Sequence, residues 1–241
     1  MAMSYQWLTL WGYVPEFLQA AWLTLQVTLL AFCVALILGL LTAIAGASRL
    51  APLRVVARSY IELIRNTPVL LQIFIVFFGL PSLGLNLSAY TAGVIALGVN
   101  VGAYMAEVFR AGIQSVPRGQ IEAAGILGLG RSQVFIEVVL PQAARAVYPA
   151  IVNNLIQLLL GTSLLSAIAL PELTGTATVI NARTLLYIQT FSVTLIAYLI
   201  LSHCLSWIAE QIGARVFHPP LMLKQHTRRR FLLIPRQANR T

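Results

Sequence analysis

Residues 17–48 read FLQAAWLTLQVTLLAFCVALILGLLTAIAGAS, and this stretch decides the fold because it contains no acidic, basic or histidine side chain. A helix needs about 20 consecutive apolar residues to cross the hydrocarbon core of a bilayer. The stretch is therefore long enough for one membrane-spanning helix, which we predict at residues 20–45.

Three further stretches lack acidic, basic and histidine side chains, and they are residues 66–106, 146–171 and 184–201. The longest of them contains GLPSLGLN at residues 79–86, a cluster of turn-forming residues that divides it into two spans. The sequence therefore predicts an all-α integral membrane protein with five membrane-spanning helices. The four spans after the first are predicted at residues 61–80, 88–109, 149–169 and 185–208.

The composition indicates the same class, since 59% of the residues are hydrophobic and only 10% are charged. A soluble domain has about 25% charged residues. Intrinsic disorder requires low hydrophobicity and is excluded. Cys33 and Cys204 both lie in apolar runs, so they are interpreted as small packing residues and not as a redox pair.

The charges predict an orientation. All but Arg183 of the 16 Lys and Arg residues fall between spans one and two, between spans three and four, or after span five. With five spans these segments share one side of the membrane, which the positive-inside rule makes cytoplasmic. We therefore predict an extracytoplasmic segment at 1–16, a transmembrane domain at 17–215 and a basic cytoplasmic tail at 216–241. The long apolar stretches between the basic residues argue against a nucleic-acid partner.

Residues 1–15 contain no Lys or Arg, so a cleavable signal peptide is not expected and span one is interpreted as permanent. Residues 49–65, RLAPLRVVARSYIELIR, alternate arginines with apolar residues. They predict an amphipathic helix on the inner leaflet, with a plain basic loop as the alternative. Gly39 and Gly46 in span one favour close helix packing, either within the subunit or in a dimer.

The loop at residues 113–145, IQSVPRGQIEAAGILGLGRSQVFIEVVLPQAAR, is the most polar internal segment. It predicts a short helix near residues 120–124, a glycine turn at 128–130, and a second short helix at 133–140. Ser132 is expected to N-cap the second helix, and Pro141 is expected to end or kink it.

Within this loop the spacing EAA-x3-G-x9-V-x-LP resembles the EAA loop of ABC-importer permeases, whose pattern has Ile where this chain has Val138. The stretches IELIRNTPVLLQ at 61–72 and NVGAYMAEVFRAGIQSVPRGQ at 100–120 resemble the branch that carries histidine, glutamine, arginine and opines. The resemblance covers about residues 17–215. It implies the type I importer permease fold and a location in the bacterial cytoplasmic (inner) membrane.

The resemblance implies that the first short helix docks on a separate ATPase subunit, where Glu122 meets a basic group. The alternative is that Glu122 only favours the first helical turn through the helix dipole. The candidate ATPase-coupling residues are Glu122, Ala123, Ala124, Gly128, Leu140 and Pro141.

The implied assembly contains ABC ATPase subunits, an identical or paralogous permease, a periplasmic or extracellular substrate-binding protein, and membrane lipid. A phosphate-binding loop needs GK[ST], and the only lysine is Lys224 in LKQ. We therefore expect ATP and Mg on the partner ATPase, and neither a cofactor nor enzymatic activity in this chain.

Uncharged polar residues within the spans are candidates for a substrate pathway, because amide and hydroxyl groups bind a zwitterion without burying a charge. The alternative for each is an interhelical hydrogen bond. The candidates are Gln72, Asn100, Tyr104, Asn153, Asn154, Gln157, Thr162 and Ser163.

Arg65, Glu107 and Arg110 lie near the inner ends of spans two and three, where we expect ion pairs. Arg65 is interpreted either as closing the inner end of the pathway or as snorkelling to the interface. Where related permeases often read LLKDTSL, this chain has Leu160 and Gly161 in place of Lys and Asp. This difference leaves the substrate open, and a passive channel or ion-coupled carrier for small polar solutes stays as an alternative function.

Overall fold

The computed structural model describes residues 2–217 and is helical throughout its regular elements. The helices in chain order are α1 (Ala2–Trp11), α2 (Val14–Ala47), α3 (Ala51–Arg65), α4 (Val69–Phe74), α5 (Ala89–Gln114), α6 (Arg118–Ile126), α7 (Arg131–Gln133), α8 (Leu140–Gly161), α9 (Leu173–Thr184) and α10 (Tyr187–Val216). Wider π-turns lie at Ile75–Gly79 and Val134–Val139, and tighter 3-10 turns lie at Leu80–Leu83 and Thr162–Ile168. The predicted basic tail lies outside the described residues beyond residue 217.

Four helical segments of this region are long and apolar enough to cross a membrane, namely α2, α5, Arg131–Ile168 and α10. A fifth span exists if α3 and the helical segment Val69–Leu83 are counted as one bent pair. The all-helical prediction is confirmed, and so is a count of up to five spans. The first span is longer than predicted because α2 already begins at Val14, with Pro15 in its first turn, where a missing N–H costs nothing.

The boundary predicted for span two was wrong. The sequence predicted one helix at residues 61–80, but α3 ends at Arg65 and the chain bends by 107° before Val69. Pro68 explains the break, because its ring disfavours the helical conformation of Thr67 and its nitrogen donates no hydrogen bond. The helix then continues to Leu83 and ends at Gly84, which has φ +84°.

The prediction of a separate second short helix in the 113–145 loop was also wrong. Arg131–Ile168 forms a single candidate span, and Pro141 sits in the first turn of α8, directly after the π-turn Val134–Val139. A π-turn shifts the hydrogen-bond register, so the proline does not end the helix. Gly130, not Ser132, precedes the first turn, and its N–H donates to Gln133 Oε1 at 2.9 Å.

Residues 51–65 form the predicted helix α3, whose faces differ in character. Ala57 is buried, and the Tyr60 hydroxyl donates to the Val99 carbonyl of α5 at 2.6 Å. Val56 and Leu63 are about two-thirds exposed on another face. An exposed apolar face on a helix that turns sharply into a membrane span is typical of a helix at the membrane interface.

Helices α2 and α5 form the centre of the fold and pack through glycines. A Cβ on Gly39 would lie 2.4 Å from the Met105 Cβ, and a Cβ on Gly98 would lie 2.7 Å from Val34 Cγ1. These distances require small residues where the two helices meet. Gly39 therefore packs within the subunit, which decides between the two alternatives that the sequence left for it.

Replacing Gly39 with Ala is expected to destabilise the protein by about 1–3 kcal/mol, because the added methyl group forces α2 away from α5. Gly46→Ala is the matched control on the same helix, since its Cβ would lie 4.0 Å from the Ala57 Cβ, an ordinary contact. Thermal unfolding of the detergent-solubilised protein checks this, and equal midpoints for the two variants would contradict the packing described.

Candidate functional site

The 113–145 loop folds into a helical hairpin with its own small core. Helix α6 packs against the π-turn Val134–Val139. The buried residues of this small core are Val116, Ala124, Val134, Val139 and Ala143. Ala124, which the sequence placed among the coupling residues, is only 5% exposed and faces this core. It therefore holds the hairpin together from inside.

The turn of the hairpin depends on Gly128. The Gly128 N–H donates to the Gly125 carbonyl at 3.0 Å, and the Leu129 N–H donates to the Ala124 carbonyl at 3.2 Å. This pair of bonds is the Schellman motif, in which the residue after the helix adopts the left-handed conformation. Gly128 does so with φ +86°. Leu129 then packs against the hairpin core, as the motif requires.

The outer surface of the hairpin is exposed and partly apolar. Glu122 and Ala123 are exposed, and so are Leu140 and Pro141 at the base of the hairpin. At its tip the side chains of Ile126 and Leu127 are 87% and 81% exposed. These two residues were not among the candidates taken from the sequence, although two large apolar residues between Gly125 and Gly128, at the predicted glycine turn, were a usable signal.

Arg65, Glu107 and Arg110 lie together at the end of α5 that is nearest the hairpin. Arg110 Nε donates to Glu107 Oε1 at 3.1 Å, and the other Glu107 oxygen also accepts from this guanidinium. Arg65 Nη1 lies farther away, 3.9 Å from Glu107 Oε2. The Arg65 guanidinium lies over the Tyr104 ring, 5.2 Å from its centroid.

Gln72 and Asn100, two pathway candidates, hydrogen-bond to each other. The Asn100 amide donates to Gln72 Oε1 at 2.9 Å. Gln72 Nε2 in turn donates to the Ile64 carbonyl at 2.9 Å and lies 2.8 Å from Thr67 Oγ1. The two amides thus join α4 to α5 and satisfy a carbonyl at the end of α3, so they stabilise the 107° bend.

The pathway candidates of the fourth span divide by exposure. Asn153 and Gln157 are exposed one turn apart on α8. The Asn154 amide and the Ser163 hydroxyl donate to carbonyls of the preceding turn. Thr162 is fully buried, and its hydroxyl donates to the Leu159 carbonyl at 2.6 Å. Asn153 and Gln157 are therefore the two that face outward from the subunit.

A buried carboxylate that the sequence-based list missed lies at the start of α9. Glu172 has no exposed surface, and its oxygens accept from the Gly175 N–H at 2.7 Å and the Thr174 N–H at 2.9 Å. The Tyr198 hydroxyl of α10 donates to Glu172 Oε2 at 2.6 Å. No helix was predicted here from the sequence, and the available signal was an acidic residue directly after Pro171, where it can accept from the first N–H groups of a following helix.

Burial raises the pKa of the Glu172 carboxyl, and the hydrogen bonds from Tyr198 and from the two backbone amides counteract part of this rise. Beside this carboxyl a groove of about 530 Å³ runs between α8 and α10, with Leu160, Ser163, Tyr198 and Ser202 among its walls. Leu160 also borders the exposed face of α8 that carries Gln157. The groove therefore adjoins that face.

Known proteins resemble this chain in sequence. The family described as "Binding-protein-dependent transport system inner membrane component" matches residues 35–218. The probable glutamine ABC transporter permease protein GlnM of Bacillus subtilis is 35% identical over 76% of this chain and 85% of its own length. The L-cystine transport system permease protein TcyB of the same organism is 40% identical over 67% and 69%.

Solved structures of ABC transporters resemble this chain in fold. A crystal structure of an amino acid ABC transporter with histidines has a TM-score of 0.82 and 36% identity, covering 87% of this chain and 98% of its own. An inward-facing methionine transporter, MetNI, has a TM-score of 0.70 at 18% identity over 86% and 98%, which shows the fold alone.

Replacing Glu172 with Ala is expected to destabilise the protein by about 1–3 kcal/mol, because three partly buried donors lose their acceptor. Glu16→Ala is the control, since within residues 2–217 Glu16 forms only an exposed ion pair with Arg183 at 3.8 Å, which is typically worth about 0–1 kcal/mol. Thermal unfolding measures both variants. Equal midpoints would show that Glu172 does not anchor α9.

Proposed function

The chain belongs to the family of binding-protein-dependent transport system inner membrane components, and we propose that it is the permease subunit of an ATP-driven importer for polar amino acids or opine-like derivatives. The observation that carries this proposal is the rigid hairpin with a bare apolar tip. Relatives described as permeases for glutamine and cystine support the substrate class.

The hairpin has the properties of a coupling element. Ile126 and Leu127 are almost wholly exposed at the tip of the hairpin. Covering them with a partner is worth about 1.5–3 kcal/mol for each side chain. Glu122, exposed on the same helix, adds one charge that sets the register of docking more than its affinity. The partner is the ATPase subunit, which holds ATP and Mg.

The hairpin transmits movement because it is rigid and continuous with a span. Arg131–Ile168 is a single candidate span, so a displacement at the tip is passed directly to α8. Closure of the ATPase dimer on ATP then rotates the permease subunits as rigid bodies and opens the pathway outward. The hairpin lies on the cytoplasmic side, in agreement with the distribution of arginines.

The pathway lies on the face that this subunit leaves open. Asn153 and Gln157 are exposed on α8 and can bind the carboxylate and the ammonium of an amino acid. Gln72 and Asn100 shape the neighbouring wall by holding the bend. An identical or paralogous permease closes the other side, and a substrate-binding protein delivers the amino acid from outside the bacterial inner membrane.

The assembled transporter tests the function directly. In proteoliposomes containing the permease, its ATPase and its binding protein, we expect uptake of labelled glutamine, cystine or arginine that requires ATP. Equal uptake by vesicles without the ATPase would instead indicate a passive channel or an ion-coupled carrier.

Changing Gly128 to Ala is expected to uncouple ATP hydrolysis from uptake. The left-handed conformation costs a residue with a Cβ about 1–2 kcal/mol, which disorders the docked tip. Gly125→Ala is the matched control, because it lies in regular helix with open space around its Cβ. The measurement is uptake per ATP hydrolysed, with membrane insertion checked for both variants. Normal coupling in Gly128→Ala would contradict the role of the turn.

Glu122→Gln isolates the charge of the same helix. We expect weaker binding of the ATPase and lower uptake per ATP, since the exposed carboxylate is replaced by an amide of equal size. Co-purification with the ATPase at rising salt concentrations measures the binding. Identical salt dependence in the wild type and in Glu122→Gln would show that Glu122 forms no ion pair at the interface.

A further inference from the structure

A cavity of about 270 Å³ lies at the corner between α3 and α5, just before the 107° bend. It is lined by Ile61, Glu62, Arg65, Asn66 and Tyr104. One cationic side chain, one anionic side chain and one aromatic ring therefore surround a single small space.

The Arg65 guanidinium is partly exposed and forms only a long ion pair with Glu107 among the residues that the structure describes. Its position is set by the Tyr104 ring, whose centroid lies 5.2 Å away. Its nearest carboxylate oxygen, Glu107 Oε2, is 3.9 Å distant, which is beyond hydrogen-bonding length. Glu107 accepts its hydrogen bonds from Arg110 instead. No hydrogen bond from the Arg65 guanidinium is present among the described residues, so its N–H donors are available to an anion such as a carboxylate.

Glu62 supplies the opposite charge at the same cavity. It lies one turn before Arg65 on α3 and its side chain is exposed. Among residues 2–217 the Glu62 carboxylate has no hydrogen bond or ion pair, and the neighbouring Asn66 amide donates to the Glu62 backbone carbonyl instead, at 2.8 Å. A carboxylate is an acceptor for an ammonium group.

We propose that this cavity is an inner-end site for the α-amino-carboxylate part of the substrate. Arg65 donates to the α-carboxylate and Glu62 accepts from the α-ammonium, while the substrate side chain extends out of the cavity. The proposal rests on the proposed import of amino acids. It adds that this subunit recognises the atoms common to all amino acids at its inner end, and it assigns this charge recognition to α3, since α8 carries Leu160 and Gly161.

Ligand analogues test the pairing of each charge with each residue. The assay measures displacement of radiolabelled L-glutamine from the nucleotide-free permease–ATPase complex in nanodiscs. The competitors are L-glutamine, L-glutaminamide, which lacks the carboxylate, and 4-carbamoylbutanoate, which lacks the ammonium. We expect the wild type to prefer L-glutamine about tenfold or more over either analogue, as for charge-assisted bonds.

In Arg65→Gln the preference over L-glutaminamide is expected to fall to about onefold, whereas the preference over 4-carbamoylbutanoate persists. Glu62→Gln is expected to give the reverse pattern. Arg58→Gln is the matched control, because Arg58 is exposed on the same helix and does not line the cavity. It should retain both preferences.

Unchanged preferences in Arg65→Gln and Glu62→Gln would overturn the proposal, and so would the absence of saturable L-glutamine binding to the wild type. If Arg65→Gln does not fold, Arg65→Lys keeps the charge without the paired donors and should reduce the carboxylate preference only in part. ATP-driven uptake is measured on the same preparations. Uptake with unchanged preferences overturns this site alone, whereas the absence of ATP-driven uptake of any amino acid overturns the proposed function.

Discussion

The structure depends on one constraint, which is that apolar surroundings offer no hydrogen-bond partner to the backbone. Each break in a helix must therefore bring its own donor or acceptor. At the bend before α4 this is Gln72, which donates to the Ile64 carbonyl. At the start of α9 it is Glu172, which accepts from two backbone amides. At the hairpin tip, which is exposed and lies outside the candidate spans, the backbone itself closes the turn through hydrogen bonds at Gly128 and Leu129.

These three breaks also lie beside the surface features described above. The bend places α3 across the end of α5 and creates the corner cavity with Arg65 and Tyr104. The Glu172 cap joins α9 to α10 through Tyr198, beside the groove next to Ser163. The turn at Gly128 presents the apolar tip. A regular helix buries its polar backbone, so departures from it are the places where a membrane protein can bind or move.

Much of the fold could be predicted from the sequence because hydropathy and spacing are local properties. The long apolar runs predicted the spans, and the EAA spacing predicted the hairpin and the family. The two wrong predictions, the bounds of span two and the separate second helix of the loop, have causes in backbone geometry. Pro68 broke a span that composition alone made continuous, and a π-turn let α8 continue through Pro141. Neither effect is visible in hydropathy, since the first depends on the ring and the missing N–H of Pro68 and the second on the hydrogen-bond register of neighbouring turns.

The sequence by itself determined the class of protein, the number of apolar segments and the residues of the hairpin, because bilayer thickness and helix geometry relate these directly to composition and spacing. Only the tertiary structure decided which polar residues serve packing and which face outward. Gln72 and Asn100 resembled Asn153 and Gln157 in the sequence, yet the first two bond to each other across helices and the second two are exposed. The physical reason is that burial is a property of the neighbours that a side chain meets, and those neighbours lie far away along the chain.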